Sequence, residues 1–553
     1  MIGPILRKDW KLLWPMVALV TAIQVGFEWV SYFGDRPGAA VLIRPLILAW
    51  YAGIAAVSAA VVLQDPLPGA DQDWLIRPVR RSDMILAKLA FLGLSVSVPM
   101  GALNFAHAMA LGFPFRLSLE VVLYKEAYLF VCFVVPMVAL AAVARNMTEF
   151  IVTGALLVVV YTLSLSLSAF FFGAEWCPTC DTGLSWLQHV MQHAGILVGA
   201  GIILGLQYHR RRTELARAVA VVGVVALVFV QLPWDAAFTL QRWVARSAGV
   251  AAPLTFEFGG LARGGGTTGV GSPGKAPGPR QAAALLLQGH VDQAVESLHR
   301  AAAAAAPVTV DLPVRISGIP SDQLLLVDRL GVSLYANEGR LLYRRENSGL
   351  PPHTFVPGPL GDPADSSGFI HQSIEIPSTV YRSSAADATR LRLDYSLTLV
   401  QTRAVYRMAA LGGVLRASTV GRCSSRYDDA AVSVHCQTLG RTPFCYSAAL
   451  YTPDGRHNPE VLKCAPAYQP FLPTPMNVHG FMGVDMPVRD RYGLAHYAVG
   501  DADLSQAYVI LKIYGALDHF VRTLIVSPFR LDDHAGLGQR DSPHAVAYTA
   551  RRG

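Results

Sequence analysis

The chain has 553 residues, of which 52% are hydrophobic and only 15% are charged, and its mean hydropathy is +0.37. Soluble globular proteins carry about 25% charged residues, so the composition excludes an ordinary soluble enzyme of this length. The net charge of +7 would suit a nucleic-acid partner. Many of the basic residues, however, lie in short loops between apolar runs, where they set membrane topology. We therefore expect a membrane protein that contacts lipid and binds no nucleic acid.

Seven apolar runs approach or reach the roughly 20 residues that cross a bilayer. No small-residue cleavage site follows the first run, which favours a retained signal anchor over a cleaved signal peptide. The fourth and seventh runs are among the shortest. The predicted spans are Leu13–Trp29, Ala40–Leu63, Ile85–Leu111, Ala127–Val143, Ile151–Phe172, Leu184–Leu206 and Ala218–Leu232.

The distribution of Lys and Arg over the loops predicts the orientation, because cytoplasmic loops carry the excess of positive charge. One set of alternate loops has almost no basic residues beyond Arg36 and Arg116. We therefore expect a cytoplasmic amino terminus and, after an odd number of spans, an extracytoplasmic carboxyl-terminal part. The basic set comprises Arg7, Lys8, Lys11, Arg77, Arg80, Arg81, Lys88, Arg145, Arg210, Arg211, Arg212 and Arg217.

The part after the spans divides by composition. Residues 235–280 are rich in Gly and Pro and predict a flexible linker, and residues 281–306 have the apolar spacing of an amphipathic helix. Short alternating runs between turn residues over 307–535 predict a β-rich domain, most simply a β-sandwich. Residues 536–553 are typical of a loose tail. The predicted fold is a polytopic α-helical membrane domain over 1–234, followed by this β-rich extracytoplasmic domain.

The β-rich region holds four cysteines, and an even number on an oxidising side of the membrane favours disulfides over free thiols. Four cysteines allow three connectivities, which sequence does not distinguish. These four candidates are Cys423, Cys436, Cys445 and Cys464.

The predicted outer loop before the sixth span carries a second cysteine pair, Cys177 and Cys180, followed by His189 and His193 one helical turn apart. The favoured interpretation is a structural disulfide. Four ligands at this spacing are also a weak candidate for a zinc site, and a third alternative is neither.

One stretch has the spacing of a phosphate loop, running from Gly269 to Gly274 and Lys275. Ala276 stands where a Ser or Thr would hold magnesium, no strand precedes the stretch, and Pro277 opposes the helix that should follow. We expect no nucleotide site here and no enzymatic activity in this chain alone.

The loop after the second span reads Trp74-Leu-Ile-Arg77-Pro78-Val-Arg80-Arg81-Ser-Asp83 and leads into a span that opens with Lys88-Leu. With the amino-terminal Leu6–Lys11, it resembles the first cytoplasmic loop and the membrane-parallel first helix of type-2 ABC-transporter permeases. The resemblance covers roughly residues 1–210. That family usually has six spans, whereas this chain adds a seventh and an outer domain.

The resemblance implies a permease subunit without a cofactor of its own, paired with a second permease subunit as a homodimer or heterodimer. A separate ATPase, which binds ATP and magnesium, would dock on Trp74, Arg77, Pro78, Arg80, Arg81 and Asp83. The alternative for this loop is plain positive-inside topology with lipid contacts only. For the whole chain, the alternative is a non-transporting anchor or sensor that presents a ligand-binding β domain.

Asn104 and His107 lie deep in the third predicted span. Polar residues at that depth could line a substrate path. The alternative is a hydrogen bond between helices.

Overall fold

The computed structural model describes most of the chain and divides it into two compact units. The first unit comprises 1–168, 185–232 and 402–515, and the second comprises 169–184, 233–401 and 516–553. The described residues are 2–32, 39–65, 81–173, 177–181, 183, 185–230, 232–244, 254–259, 307–320, 322–347, 354–355, 370–417, 421–428, 431–438, 445–453, 461–464, 490–498 and 504–535.

Before residue 245 the described chain is helical. Over the described residues, six helices are long and apolar enough to span a membrane, or up to seven if α9 and α10 count as one broken span. The helices are α1 (Ile2–Tyr32), α2 (Ala39–Leu63), α3 (Arg81–Leu92), α4 (Val98–Ala110), α5 (Phe115–Leu129), α6 (Val135–Ala142), α7 (Met147–Phe172), α8 (Ser185–Gly205), α9 (Thr213–Phe229) and α10 (Trp234–Val244).

Wider π turns join α3 to α4 at Gly93–Ser97 and α5 to α6 at Phe130–Val134, so each pair forms one continuous helix. In both, a proline follows within two residues, Pro99 and Pro136. Proline has no backbone N–H and clashes with the carbonyl one turn earlier. A locally wider turn accommodates this defect without ending the helix.

The fourth predicted span, Ala127–Val143, is only the second part of a helix that runs from Phe115 to Ala142. The first part of this helix was not included in the predicted span because Lys125 and Glu126 interrupt the apolar run. The other six predicted spans coincide with α1, α2, α3–α4, α7, α8 and α9 to within a few residues at most ends.

Helix α7 shows best why the helices suit a lipid environment. It has an apolar surface all round, and only 11% of its most apolar 18-residue stretch is buried within the protein. Ile151, Val152, Val159 and Leu163 are each about 60% exposed. A soluble protein rarely leaves so long an apolar surface in water. The shared core of the bundle includes Trp50, Tyr51, Ile54, Val57, Phe91, Leu92, Val134 and Val138.

Beyond residue 254 the described chain is dominated by strands, as the sequence predicts. The strands are β1 (Thr255–Phe258), β2 (Val308–Ser317), β3 (Gln323–Ala336), β4 (Leu341–Asn347), β5 (Thr354–Phe355), β6 (Ile370–Ile376), β7 (Thr389–Ala409), β8 (Val414–Ala417), β9 (Gly421–Asp428), β10 (Ala431–Thr438), β11 (Cys445–Tyr451), β12 (Val461–Cys464), β13 (Asp490–Ala498) and β14 (Tyr508–Phe529). A short helix, α11 (Ser378–Ser384), precedes β7.

The strands form three sheets, with orders β1-β2-β6, β13-β10-β9-β8 and β12-β11-β14-β7-β3-β4, and β5 pairs with β3. Every pairing with a described register is antiparallel. In the second unit, apolar side chains of β2 and β6 share one core with those of β3 and β7. The β-rich prediction is confirmed, and the specific β-sandwich stays a prediction.

Two ordered elements fall inside the predicted linker 235–280. Helix α10 covers its start, and β1 pairs with β2 from Thr255 opposite Ser317 to Phe258 opposite Val314. The alternation of Phe256 and Phe258 was hidden by the glycines that follow. The predicted amphipathic helix 281–306, the tail 536–553 and the near-motif at Lys275 lie outside the described residues.

Candidate functional site

Four charged side chains, two from α1, one from α3 and one from just after α2, meet at one end of the helical bundle. The Lys88 ammonium of α3 donates to the Val61 carbonyl at 2.5 Å and contacts Asp65 Oδ2 at 3.1 Å. The other oxygen of Asp65 accepts from Lys8 of α1 at 2.7 Å. Asp9, beside Lys8, is fully buried and interacts electrostatically with Lys88. We call Lys8, Asp9, Asp65 and Lys88 the charge cluster.

The charge cluster contains one buried and one partly exposed ion pair. The Lys88 side chain is 0% exposed and that of Asp65 is 14% exposed, whereas Lys8 is 45% exposed. Burial raises the pKa of the Asp65 carboxyl, but the ammonium groups of Lys88 and Lys8 outweigh burial and hold the pKa below its ordinary value. Asp65 is therefore ionised at neutral pH. Removing either partner of its buried pair with Lys88 would leave the other charge uncompensated.

The charge cluster brackets the loop that the sequence singled out. Asp65 is the last described residue before the loop, and the described chain resumes at Arg81, the first residue of α3. The Asp65–Lys88 ion pair thus joins the two ends of the segment 66–80. Asp83 lies in the first turn of α3, where the helix dipole stabilises a carboxylate. Trp74, Arg77, Pro78 and Arg80, with the side chain of Arg81, lie outside the described residues.

A second ion pair joins further loops at the basic ends of the helices. The Arg217 guanidinium of α9 contacts Glu149 of α7 and donates to the Val143 carbonyl at 3.1 Å. The Arg145 backbone N–H donates to Glu149 Oε2 at 2.6 Å, and Asn146 Oδ1 accepts from the Glu149 N–H at 2.8 Å. The α6–α7 connection and the start of α9 therefore meet at one end of the bundle.

The polar residues of the third span face a neighbouring helix. Asn104 of α4 is buried and donates to Glu126 Oε1 of α5 at 2.9 Å, and Lys125 donates to Asn104 Oδ1 at 3.4 Å. This is the hydrogen bond between helices that was the alternative to a substrate path. His107 lies about one turn further along α4 and is partly exposed. A path along Asn104 and His107 stays a prediction.

One of the two histidines that follow the predicted outer loop is hydrogen-bonded to a tyrosine of the bundle. His193 of α8 is almost fully buried, and its Nε2 lies 2.7 Å from the Tyr128 hydroxyl of α5. Cys177 and Cys180 form a disulfide with a Cα–Cα distance of 5.3 Å. The side chain of His189 lies outside the described residues. Across the described ranges, no three His, Cys, Asp or Glu side chains form a group that could hold a metal ion.

The disulfide loop between α7 and α8 pairs with a strand in the second unit. The Arg344 N–H of β4 donates to the Pro178 carbonyl at 2.7 Å, and the Glu346 N–H donates to Asp181 Oδ2 at 2.5 Å. Arg344 also lies over the ring of Trp234 at 5.1 Å. The loop therefore satisfies two backbone donors on the edge of the sheet, which would otherwise be open to pairing.

A second disulfide crosses β9 and β10. Cys423 and Cys436 are direct partners in the antiparallel register, and their Cα atoms are 4.0 Å apart. Cys445 and Cys464 are likewise direct backbone partners on β11 and β12, and their side chains lie outside the described residues. Of the three connectivities that the sequence left open, only 423–436 with 445–464 includes the observed bond.

A scan against models of known protein families gives no match, and a search of curated proteins gives none. The interpretation of the site therefore depends on its own geometry. Sequence reasoning placed Lys88 among the basic loop residues and did not identify Asp9 or Asp65 as its neighbours. The available signal was an acidic residue at the end of an apolar run, followed by a lysine at the start of the next run.

Proposed function

We propose that this chain is the membrane-spanning permease subunit of an ABC exporter in a bacterial inner membrane. A separate ATPase docks on the loop around Trp74–Arg81 and supplies the energy from ATP and magnesium. The outer β-rich domain binds the substrate or an envelope partner. The observation that carries the proposal is the buried Asp65–Lys88 ion pair, which ties the two ends of that loop to the helices.

The charge cluster gives the loop a mechanical connection to three helices. A buried ion pair is costly to form because both charges lose water, and it contributes little net stability compared with apolar residues. It does hold its partners in one geometry. A force on the loop would reach α2 through Asp65, α3 through Lys88 and α1 through Lys8. This is the connection that a permease subunit needs between an ATPase and its spans.

The proposed topology has seven spans, with the amino terminus in the cytoplasm and the β-rich region outside. The contacts of Pro178 and Asp181 with β4 support it. The α7–α8 loop and the strands in contact with it must lie on one side of the membrane. Since α8 leads away from that side, α9 must cross back, although it has only 17 residues. The hydrogen bond from Arg217 of α9 to the Val143 carbonyl supports placing the start of α9 on the side of the basic loops.

The first experiment tests the partner. The full-length chain, tagged and expressed at its native level, is purified from its native membranes and assayed for a co-purifying subunit that hydrolyses ATP. We expect such a subunit. We also expect that Trp74→Ala with Arg77→Glu and Arg80→Glu removes the subunit from the complex.

A matched control separates specific docking from loss of positive charge. Arg211→Glu with Arg212→Glu removes the same number of arginines from another basic loop, where both residues are exposed. This variant should retain the ATPase. A wild-type complex without ATPase activity would contradict the permease proposal and favour the membrane anchor with a ligand-binding β domain. Equal loss in both variants would reduce the loop to a topology signal.

A further inference from the structure

Three arginines lie on one face of the β8–β9 hairpin. Arg416 on β8 is directly opposite Arg422 on β9 in the antiparallel register. Arg426 lies four residues further along β9, and side chains at even spacing point to the same face of a strand. Between residues 414 and 427 the sequence has no Asp or Glu; β9 ends at Asp428, whose side chain lies outside the described residues.

Two arginines in direct opposition repel each other, because their β-carbons are only about 5 Å apart in such pairs. No carboxylate among the described residues forms an ion pair with Arg416 or Arg422. A bound anion would relieve this repulsion, and guanidinium groups match phosphate oxygens in a bidentate geometry. The pair is therefore suited to a phosphate-bearing ligand.

The hairpin lies at the end of a membrane-spanning helix pair within the first unit. Gly112, in the turn between α4 and α5, has a φ of +91°, and a β-carbon placed on it would lie 3.8 Å from that of Arg416. A turn that joins two spans sits at the level of the lipid headgroups. Phe115, 61% exposed, and the exposed Arg116 follow directly after this turn. An aromatic and a basic side chain are typical of that interfacial level.

Exposed apolar side chains accompany the arginines. Val414, on the same face as Arg416, is 55% exposed, and Leu411 in the preceding turn is 44% exposed. Arginine beside exposed aliphatic groups is the composition of a membrane-surface contact, where charge meets the headgroups and apolar groups meet the acyl boundary. In water alone, these exposed apolar groups would have no such partner.

We propose that the pair formed by Arg416 and Arg422 binds the phosphate groups of anionic phospholipids in the leaflet beside the α4–α5 turn. The binding site is thus a lipid-headgroup contact of the β-rich region. The inference depends on the helices crossing a membrane and is independent of the proposed transport function.

The test measures amide hydrogen exchange of the β8–β9 peptides in the full-length protein. The protein is placed in nanodiscs of phosphatidylcholine alone or with one third phosphatidylglycerol. Each arginine near an anionic surface favours binding by about fivefold, so we expect exchange to slow by fivefold or more with phosphatidylglycerol. The effect should shrink at high salt, which screens such contacts.

Three variants make the result specific. Arg416→Gln with Arg422→Gln should lose the response, whereas Arg416→Lys with Arg422→Lys, which keeps the charge, should retain most of it. The control Arg340→Gln with Arg530→Gln removes two exposed arginines elsewhere and should respond like the wild type.

Two results would overturn the proposal. The first is equal exchange in both nanodisc types for the wild-type protein. The second is the same protection from inorganic phosphate added to phosphatidylcholine nanodiscs, which would identify a site for a soluble anion instead of a headgroup.

Discussion

Replacing Lys88 by methionine removes the only fully buried cation of the charge cluster and keeps the length of its aliphatic stem. Removal of one partner from a buried ion pair costs about 3–5 kcal/mol, because the remaining charge is uncompensated. Asp65 retains Lys8 at 2.7 Å and is 14% exposed, which favours the lower end of that range. Asp9, fully buried and with neither oxygen hydrogen-bonded within the described chain, loses a favourable interaction. We expect Lys88→Met to lower the free energy of unfolding by about 3 kcal/mol.

The assay is reversible unfolding of the full-length protein in detergent by a titration with sodium dodecyl sulfate, followed by far-UV circular dichroism. Lys8→Met is the matched control, since Lys8 binds the same carboxylate but is 45% exposed, and exposed pairs contribute about 0–1 kcal/mol. The single variant Asp65→Asn and the double variant Asp65→Asn with Lys88→Met complete a double-mutant cycle. A loss below about 1 kcal/mol for Lys88→Met would refute the buried pairing.

Three further predictions follow from the β-rich region and its contacts. Non-reducing peptide mapping should give a Cys445–Cys464 bond, and a mixed pairing with the other two cysteines would contradict the strand register. Burial lowers the pKa of His519 to about 4 from 6.5. As the pH falls below 6.5, the unfolded chain therefore binds a proton before the folded chain does. About 2 kcal/mol of stability should be lost between pH 7.5 and 5. Thermal unfolding of the full-length protein measures it, and His519→Gln should flatten the profile. Finally, Asp181→Ala should speed exchange of the Glu346 amide by about tenfold or more, since it removes that amide's acceptor; an unchanged rate would show that the contact is dispensable.

The course of the chain through the helices was largely predictable because apolar runs of sufficient length have few alternative structures. The start of the fourth span was misplaced for a specific reason. Lys125 and Glu126 lower the local hydropathy, but Asn104 of the adjacent α4 hydrogen-bonds to both. A window along the sequence cannot account for a partner 21 or 22 residues away. The β-rich region was predictable by strand alternation, whereas its register required the structure.

The candidate site was predictable as a loop and not as a cluster. The basic residues of the loop stand out in the sequence, but Asp9 and Asp65 look like ordinary charges at helix ends. Their importance comes from burial beside Lys88, which depends on the packing of α1 and α2 against α3. His193 illustrates the same limit, since its spacing made it only a weak candidate for a metal ligand, and its hydrogen bond with Tyr128 joins it to another helix.

The pairing of the α7–α8 loop with β4 also constrains biosynthesis. Pro178 and Asp181, which accept these hydrogen bonds, emerge from the ribosome about 165 residues before the donor amides of Arg344 and Glu346. The loop must therefore remain unpaired until the strand has been synthesised. A β-rich fragment made without the helices would present β4 as an open edge, and open edges promote pairing between chains. Such a fragment should aggregate through that strand, and a soluble peptide spanning the disulfide loop should suppress the aggregation.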